Sequence, residues 1–341
     1  MYNPYLSEDD GGMTTQLTRL LRDEETDNCV LLLELMGGGG INRRLMGYLF
    51  GITVSHKQPE VQARALSLLQ KYAAAETLTQ AQRLKSALPY YYNESEYLGK
   101  YRNPEFDLFD FLLAYKMCNW HGMGASRSER YRISHQTLNL SSYPEDRLSE
   151  AITTLDFVRH LVLPAHKDFD LVSAYPYLLQ LPIESIFIEN VKLVHFPGKL
   201  FELPNLKSLS IKRGTYRPRT PMLVETDASG GSASLEKLFI DGYAMEQVEQ
   251  LGDFPKLREA TLVRCGLNNI HFLKNSKNLE VLNIKFNLLG TLPAFLGTCT
   301  LLRTLELGGN PFQKIELDLS NMSRLEELDL RLKYDRAVRF Y

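Results

Sequence analysis

Two hydrophobic rhythms run along the chain, and they meet between residues 120 and 135. Before that point apolar residues recur three and four apart, the spacing of helices buried on one side. Leu17, Leu20 and Leu21 predict a first helix over 14–22. Asp27 is placed to cap a second, which runs through Leu31, Leu32, Leu35 and Met36 until the four glycines 37–40 stop it. Ile41, Leu45, Tyr48, Leu49 and Ile52 predict a third over 41–56. A fourth enters at Pro59, where a missing N–H costs nothing, and buries Val61, Ala65, Leu68, Leu69 and Tyr72. Two more are expected over 79–88 and 106–119, the last with Phe109, Leu112, Leu113 and Met117 along one side.

From residue 135 the rhythm becomes apolar–polar–apolar alternation restarted at a long, regular interval. Residues 302–312 read LRTLELGGNPF and residues 279–289 read LEVLNIKFNLL, both fitting L-x-x-L-x-L-x-x-N-x-L. The phrase restarts at His135, Val158, Ile183, Leu206, Leu235, Leu257, Leu279, Leu302 and Leu325, so by subtraction its steps run from 22 to 29 residues. Positions 4 and 6 of each copy fall on one face of a short strand and position 5 on the other. One copy cannot bury its apolar face alone, whereas stacked copies share a continuous core.

This phrase over 135–333 resembles the leucine-rich repeat family. The resemblance implies an α/β fold: an N-terminal all-α helical domain, then a curved solenoid whose strands form a parallel ladder on a concave face. It also implies that Asn287 and Asn310, at position 9, bond the backbone of adjacent turns, and that segments such as 292–300 lie on the convex side. The stretch PEVQARALSLL is similar to the second helix of a HEAT-type repeat. The domain plan is then a leader over 1–12, a helical and HEAT-like domain over 13–120, a linker over 121–134 and the repeat domain over 135–341. In that plan the helical domain covers the open end of the stack, where core leucines and strand backbone would otherwise meet water.

Composition narrows the function. The 39 Lys plus Arg nearly balance the 41 Asp plus Glu, which speaks against a nucleic-acid footprint. The N-terminus MYNPYLSEDDGG lacks the basic and apolar regions of a secretory signal, and no apolar run is long enough for a bilayer. Cys29, Cys118, Cys265 and Cys299 are scattered, as expected of reduced thiols in a cytoplasmic protein.

Candidate chemistry is sparse. Residues 37–40 are glycine-rich, but no Lys-Ser/Thr pair follows as a phosphate loop requires. Cys118 and His121 lie three apart beside Trp120 with no third group to orient them. No catalytic residue, metal site or cofactor is expected. Tyr90, Tyr91, Tyr92, Tyr97 and Tyr101 form an aromatic cluster read as helix packing. The step of 29 residues from Leu206 to Leu235 holds an insertion within 214–234, rich in Pro and Gly and expected to form a projecting or mobile loop.

The chain thus reads as a non-catalytic protein–protein interaction module, monomer or weak dimer, that binds another protein through the concave face. The alternatives are an enzyme with a site between the helices and the first repeats, or a self-associating structural protein. Positions 3, 5, 7 and 8 face the partner in this reading. Phe187 and Phe239, at position 5, stand where the fold does not require them, and Lys212, Arg213, Asp241, Arg264 and Lys285 surround them. An apolar centre within a charged rim is the usual anatomy of a protein-binding patch.

Overall fold

A computed structural model describes residues 6–7, 16–18, 20–21, 26–87, 101–118, 133–134, 136–141, 143–214, 221–225, 231–313 and 315–331. It divides into two compact units, Met1–Ser134 with Ser142–Pro144 and Leu148–Asp156, and His135–Ser141 with Glu145–Arg147 and Phe157–Tyr341.

The first unit is helical: α1 (Thr26–Gly39), α2 (Arg43–Ser55), α3 (Pro59–Tyr72), α4 (Ala75–Ala87) and α5 (Leu108–Cys118). Three boundaries differ from the sequence expectation in ways that matter to the packing. Helix α1 runs through Gly37, Gly38 and Gly39 and stops only at Gly40, whose φ of 87° leaves the helical region. Helix α2 starts at Arg43 rather than Ile41, because the Asn42 side chain accepts the Leu45 N–H at 2.9 Å and caps it there. Helix α4 starts four residues early, at Ala75. Part of the leader is also tied down, since Leu6–Ser7 pairs in parallel with Ile41–Asn42.

Helices α2 and α5 touch through their backbones. A Cβ built on Gly47 would lie 2.7 Å from Asp110 Cβ, and one on Gly51 2.7 Å from Ala114 Cβ. Two glycines four apart on one helix face therefore set this approach. Beside it Phe50, Tyr101, Phe106 and Phe111 form an aromatic cluster with ring centroids 4.8–6.5 Å apart. The Asp110 carboxylate is fully buried, 4.0 Å from Arg44 Nε.

Among the described residues the second unit carries a ladder of nine parallel strands: β1 (Thr137–Asn139), β2 (His160–Val162), β3 (Ser185–Glu189), β4 (Ser208–Lys212), β5 (Lys237–Asp241), β6 (Glu259–Val263), β7 (Val281–Asn283), β8 (Thr304–Glu306) and β9 (Glu327–Asp329). The strands pair in sequence order, and the register sets every position 4 beside the next: Leu138, Leu161, Ile186, Leu209, Leu238, Ala260, Leu282, Leu305, Leu328. From Leu138 to Leu305 these residues are buried. Alternation is clean in β3, where Ile186 and Ile188 are buried and Ser185, Phe187 and Glu189 are half-buried.

Short 3-10 turns such as Gly198–Glu202, Val248–Gln250, His271–Leu273 and Ala294–Thr298, with α6 (Leu171–Leu178), return the chain between strands. Under them Phe196, Phe201, Phe254 and Phe272 form a spine with successive centroids 5.5, 5.2 and 6.5 Å apart.

Position 9 bolts the turns together. The Asn287 side chain accepts the N–H of Cys265 and of Leu267 and donates to the carbonyls of Leu262 and Ile284. Asn310 accepts from Leu289 and donates to Ile284 and Leu307. Tyr243 holds the same position in its copy, and its hydroxyl donates at 2.5 Å to the Val191 carbonyl two copies back. The copy between offers Gly214 there, without a side chain of its own.

Part of the insertion departs from expectation. Residues 221–225 do not project: Met222–Leu223 pairs in parallel with Met245–Glu246, Leu223 bridges His195, and Met222 and Val224 are buried. At its far end Gly231 approaches Asp253 so closely that a Cβ would stand 2.0 Å from that carbonyl oxygen. Residues 215–220 and 226–230 lie outside the described residues.

Candidate functional site

The outward face of the ladder is set by its register. Position 5 reads Asn139, Val162, Phe187, Ser210, Phe239, Thr261, Asn283, Glu306 and Asp329 across neighbouring strands. Phe187 and Phe239 therefore flank Ser210, one strand away on either side, and both are half-buried. Neither ring stacks on another aromatic ring among the described residues. Their backbones are about 9.6 Å apart, twice the spacing between neighbouring strands.

Position 7 carries the charge. Glu189, Lys212 and Asp241 stand side by side at the ends of β3, β4 and β5. Lys212 Nζ lies 3.6 Å from Glu189, a loose pair, with the lysine side chain 49% exposed. Asp241 is held by Arg264 through bonds of 2.5–2.9 Å. Lys285 is held between Glu306 at 2.9 Å and Asp329 at 3.0 Å. Arg213 makes no side-chain hydrogen bond or ion pair among the described residues, and its stem lies across Gly242. Of the five expected charges, Lys212 and Arg213 thus stand nearest to being available, while Asp241, Arg264 and Lys285 are engaged with neighbours.

Two features lie outside the sequence reading. At position 2 the charges alternate: Arg159, Glu184, Lys207, Glu236, Arg258, Glu280, Arg303, Glu326. Each of these residues donates its N–H to the position-2 carbonyl of the preceding copy, which sets the side chains abreast. Lys207–Glu184 closes at 2.8 Å, Arg258–Glu280 at 2.7 Å and Arg303–Glu326 at 2.8 Å. Reading position 2 copy by copy would have shown it. At position 8 the backbone turns left-handed at Asn190, Gly242, Arg264, Phe286 and Gly309. Phe286 is bulky for that conformation, is 58% exposed, and lies against Gly309, with Leu288 60% exposed close by. Apolar residues at positions 8 and 10 of that copy were the available signal.

Other candidates gain little. Burial pushes the thiols of Cys265 and Cys299 up, so neither is a thiolate at neutral pH. Cys118 ends α5; Trp120, His121, Tyr90–Tyr92 and Tyr97 lie outside the described residues. Among the described residues no cluster of His, Cys, Asp and Glu could hold a metal ion, and no helix is long and apolar enough to cross a membrane.

Strand order, register and the position-9 bonds decide the architecture. The solenoid is built of leucine-rich repeats. No protein-family model matches the chain, and no curated protein matches it. Among solved structures, the leucine-rich repeat domain of the type III effector XopL is 16% identical with a TM-score of 0.43, over 74% of this chain and 85% of that one. An internalin from Listeria monocytogenes is 13% identical, with a TM-score of 0.41 over 59% of this chain and 62% of that one. A leucine-rich repeat protein from Leptospira interrogans is 18% identical, with a TM-score of 0.41 over 59% and 56%. This chain spans less than two thirds of the length of the internalin and the Leptospira protein.

Proposed function

We propose that the chain is a non-catalytic interaction module that binds a partner protein through the outward, concave face of its repeat ladder, centred on β3 to β5. The observation that carries this is the pair Phe187 and Phe239. Both are large apolar side chains at position 5, where the core needs nothing, and both stay half-buried without a ring partner. Aromatic side chains at the centre of a polar face are the residues that dominate protein interfaces. Lys212 and Arg213 add charge at the rim. The buried thiols of Cys265 and Cys299 support a reducing, cytoplasmic setting.

The test is affinity capture from native extract with the intact chain, followed by affinity measurement on the recovered partner. Phe187→Ala with Phe239→Ala should weaken binding at least tenfold, the scale of a buried aromatic anchor, while circular dichroism and melting stay as in the parent. Unchanged affinity in a folded double variant would remove the β3–β5 face from the interface and move attention to Phe286 and Leu288.

A further inference from the structure

The two phenylalanines do more than present apolar surface. By register they flank β4 and bound a strip of it, a slot one strand wide. Phe187, Ser210 and Phe239 are in register on three adjacent strands, so a small hydroxyl residue forms the floor between two rings. With both rings extended straight out from their strands, a third ring entering midway lies about 4.8 Å from each, inside the favourable range of about 4.5–7 Å for aromatic pairs. The Ser210 hydroxyl has no protein hydrogen-bond partner among the described residues, nor does that of Ser208, one outward position earlier on β4. The floor is therefore free to bond an entering polar edge, such as a phenol or an amide.

One end of the slot is cationic. Lys212 lies two residues beyond Ser210 on β4, on the same face, about 6.7 Å along the strand. It is only loosely paired to Glu189, and Arg213 beside it has no partner among the described residues. Around this end stand three cations, Lys212, Arg213 and Arg264, against two carboxylates, Glu189 and Asp241, and Arg264 is consumed by Asp241. The uncompensated charge is positive. An extended peptide repeats its same-face side chains at that same two-residue spacing.

We propose that the slot takes one aromatic side chain from an extended segment of the partner protein, with a carboxylate two residues away seated at Lys212 and Arg213. This rests on the β3–β5 face being the interface. The probe is a capped, fluorescein-labelled pentapeptide, SFTDS, titrated against the intact chain and followed by anisotropy. Saturable binding is expected. It should weaken at least tenfold when Ser210→Leu fills the slot from an outward-facing position, and when the peptide is SATDS or SFTKS. Combining SFTKS with Lys212→Glu and Arg213→Glu should recover binding. Absence of saturable binding overturns the proposal, as does indifference to Ser210→Leu, or equal binding of SFDTS, in which the carboxylate has moved next to the ring. If the captured partner still depends on Phe187 and Phe239 in those cases, the slot falls and the interface stands. If it depends on neither, both fall.

Discussion

Replacing Asn287 by alanine tests the bond that joins one repeat to the next. Asn287 is 3% exposed, and its side-chain oxygen is the acceptor for the N–H of Cys265 at 2.9 Å and of Leu267 at 3.2 Å. Its nitrogen donates to Leu262 at 2.6 Å and to Ile284 at 2.9 Å, and the Ile284 carbonyl keeps a second donor, Asn310, at 2.8 Å. The substitution therefore strands two buried N–H groups. At roughly 1–3 kcal/mol for each, the expected loss is about 2–6 kcal/mol. Asn287→Leu restores volume but no acceptor, so it should not rescue. Asn310→Ala strands one N–H, that of Leu289, and should cost about half as much as Asn287→Ala. Urea unfolding of the intact chain gives the total. Amide exchange gives the local answer: Cys265 and Leu267 should exchange at least tenfold faster, with helix α2 unchanged. A loss below about 1 kcal/mol with both amides still protected would refute the reasoning, because a bond worth making would cost at least that to remove.

Three further outcomes follow from the packing and charge. Gly51→Ala places a Cβ 2.7 Å from Ala114 Cβ and should cost about 1–3 kcal/mol by overpacking α2 against α5; a thermal melt identical to the parent would contradict it. Leu305→Ala, at a fully buried position 4, should cost roughly 2–5 kcal/mol in urea, and a near-zero loss would break the repeat register. Arg331, then Lys285, donate to Asp329 and hold its carboxyl well below the usual carboxylate range. A depressed folded value means stabilisation that is complete above the ordinary carboxylate pKa of about 4 and lost as the pH falls through it towards the folded value. Urea midpoints of the parent and of Asp329→Asn should therefore differ at pH 6 and converge in strong acid, whereas a gap independent of pH would exclude the ion pair as its source.

Much of the candidate site was legible before the fold. Phe187 and Phe239 stood out because position 5 of a repeat points away from the core whatever the rest of the chain does. Their separation by a single serine-bearing strand also follows from counting copies. What could not be read was which charges remain available. Asp241 and Arg264 are 23 residues apart, and Lys285 lies 44 from Asp329, so their pairing depends on neighbouring turns lying abreast. Residues 221–225 of the insertion were misjudged for the same reason: Met222–Leu223 finds Met245–Glu246 and His195 only once the turns are stacked.

By itself the sequence determined the ladder. A strand slipped by one residue would turn Leu138, Leu209, Leu282 and Leu305 out to water, so the apolar phrase admits one register. It also determined the bonding of Asn287 and Asn310, since a buried amide at the turn must find backbone partners. Only the tertiary structure decided how closely α2 meets α5 through Gly47 and Gly51, that Tyr243 reaches past one repeat to Val191, and that Phe286 stands exposed on a left-handed turn. The physical reason is range: periodicity encodes contacts between equivalent positions, while these depend on which atoms are missing, displaced or strained in a neighbour far along the chain.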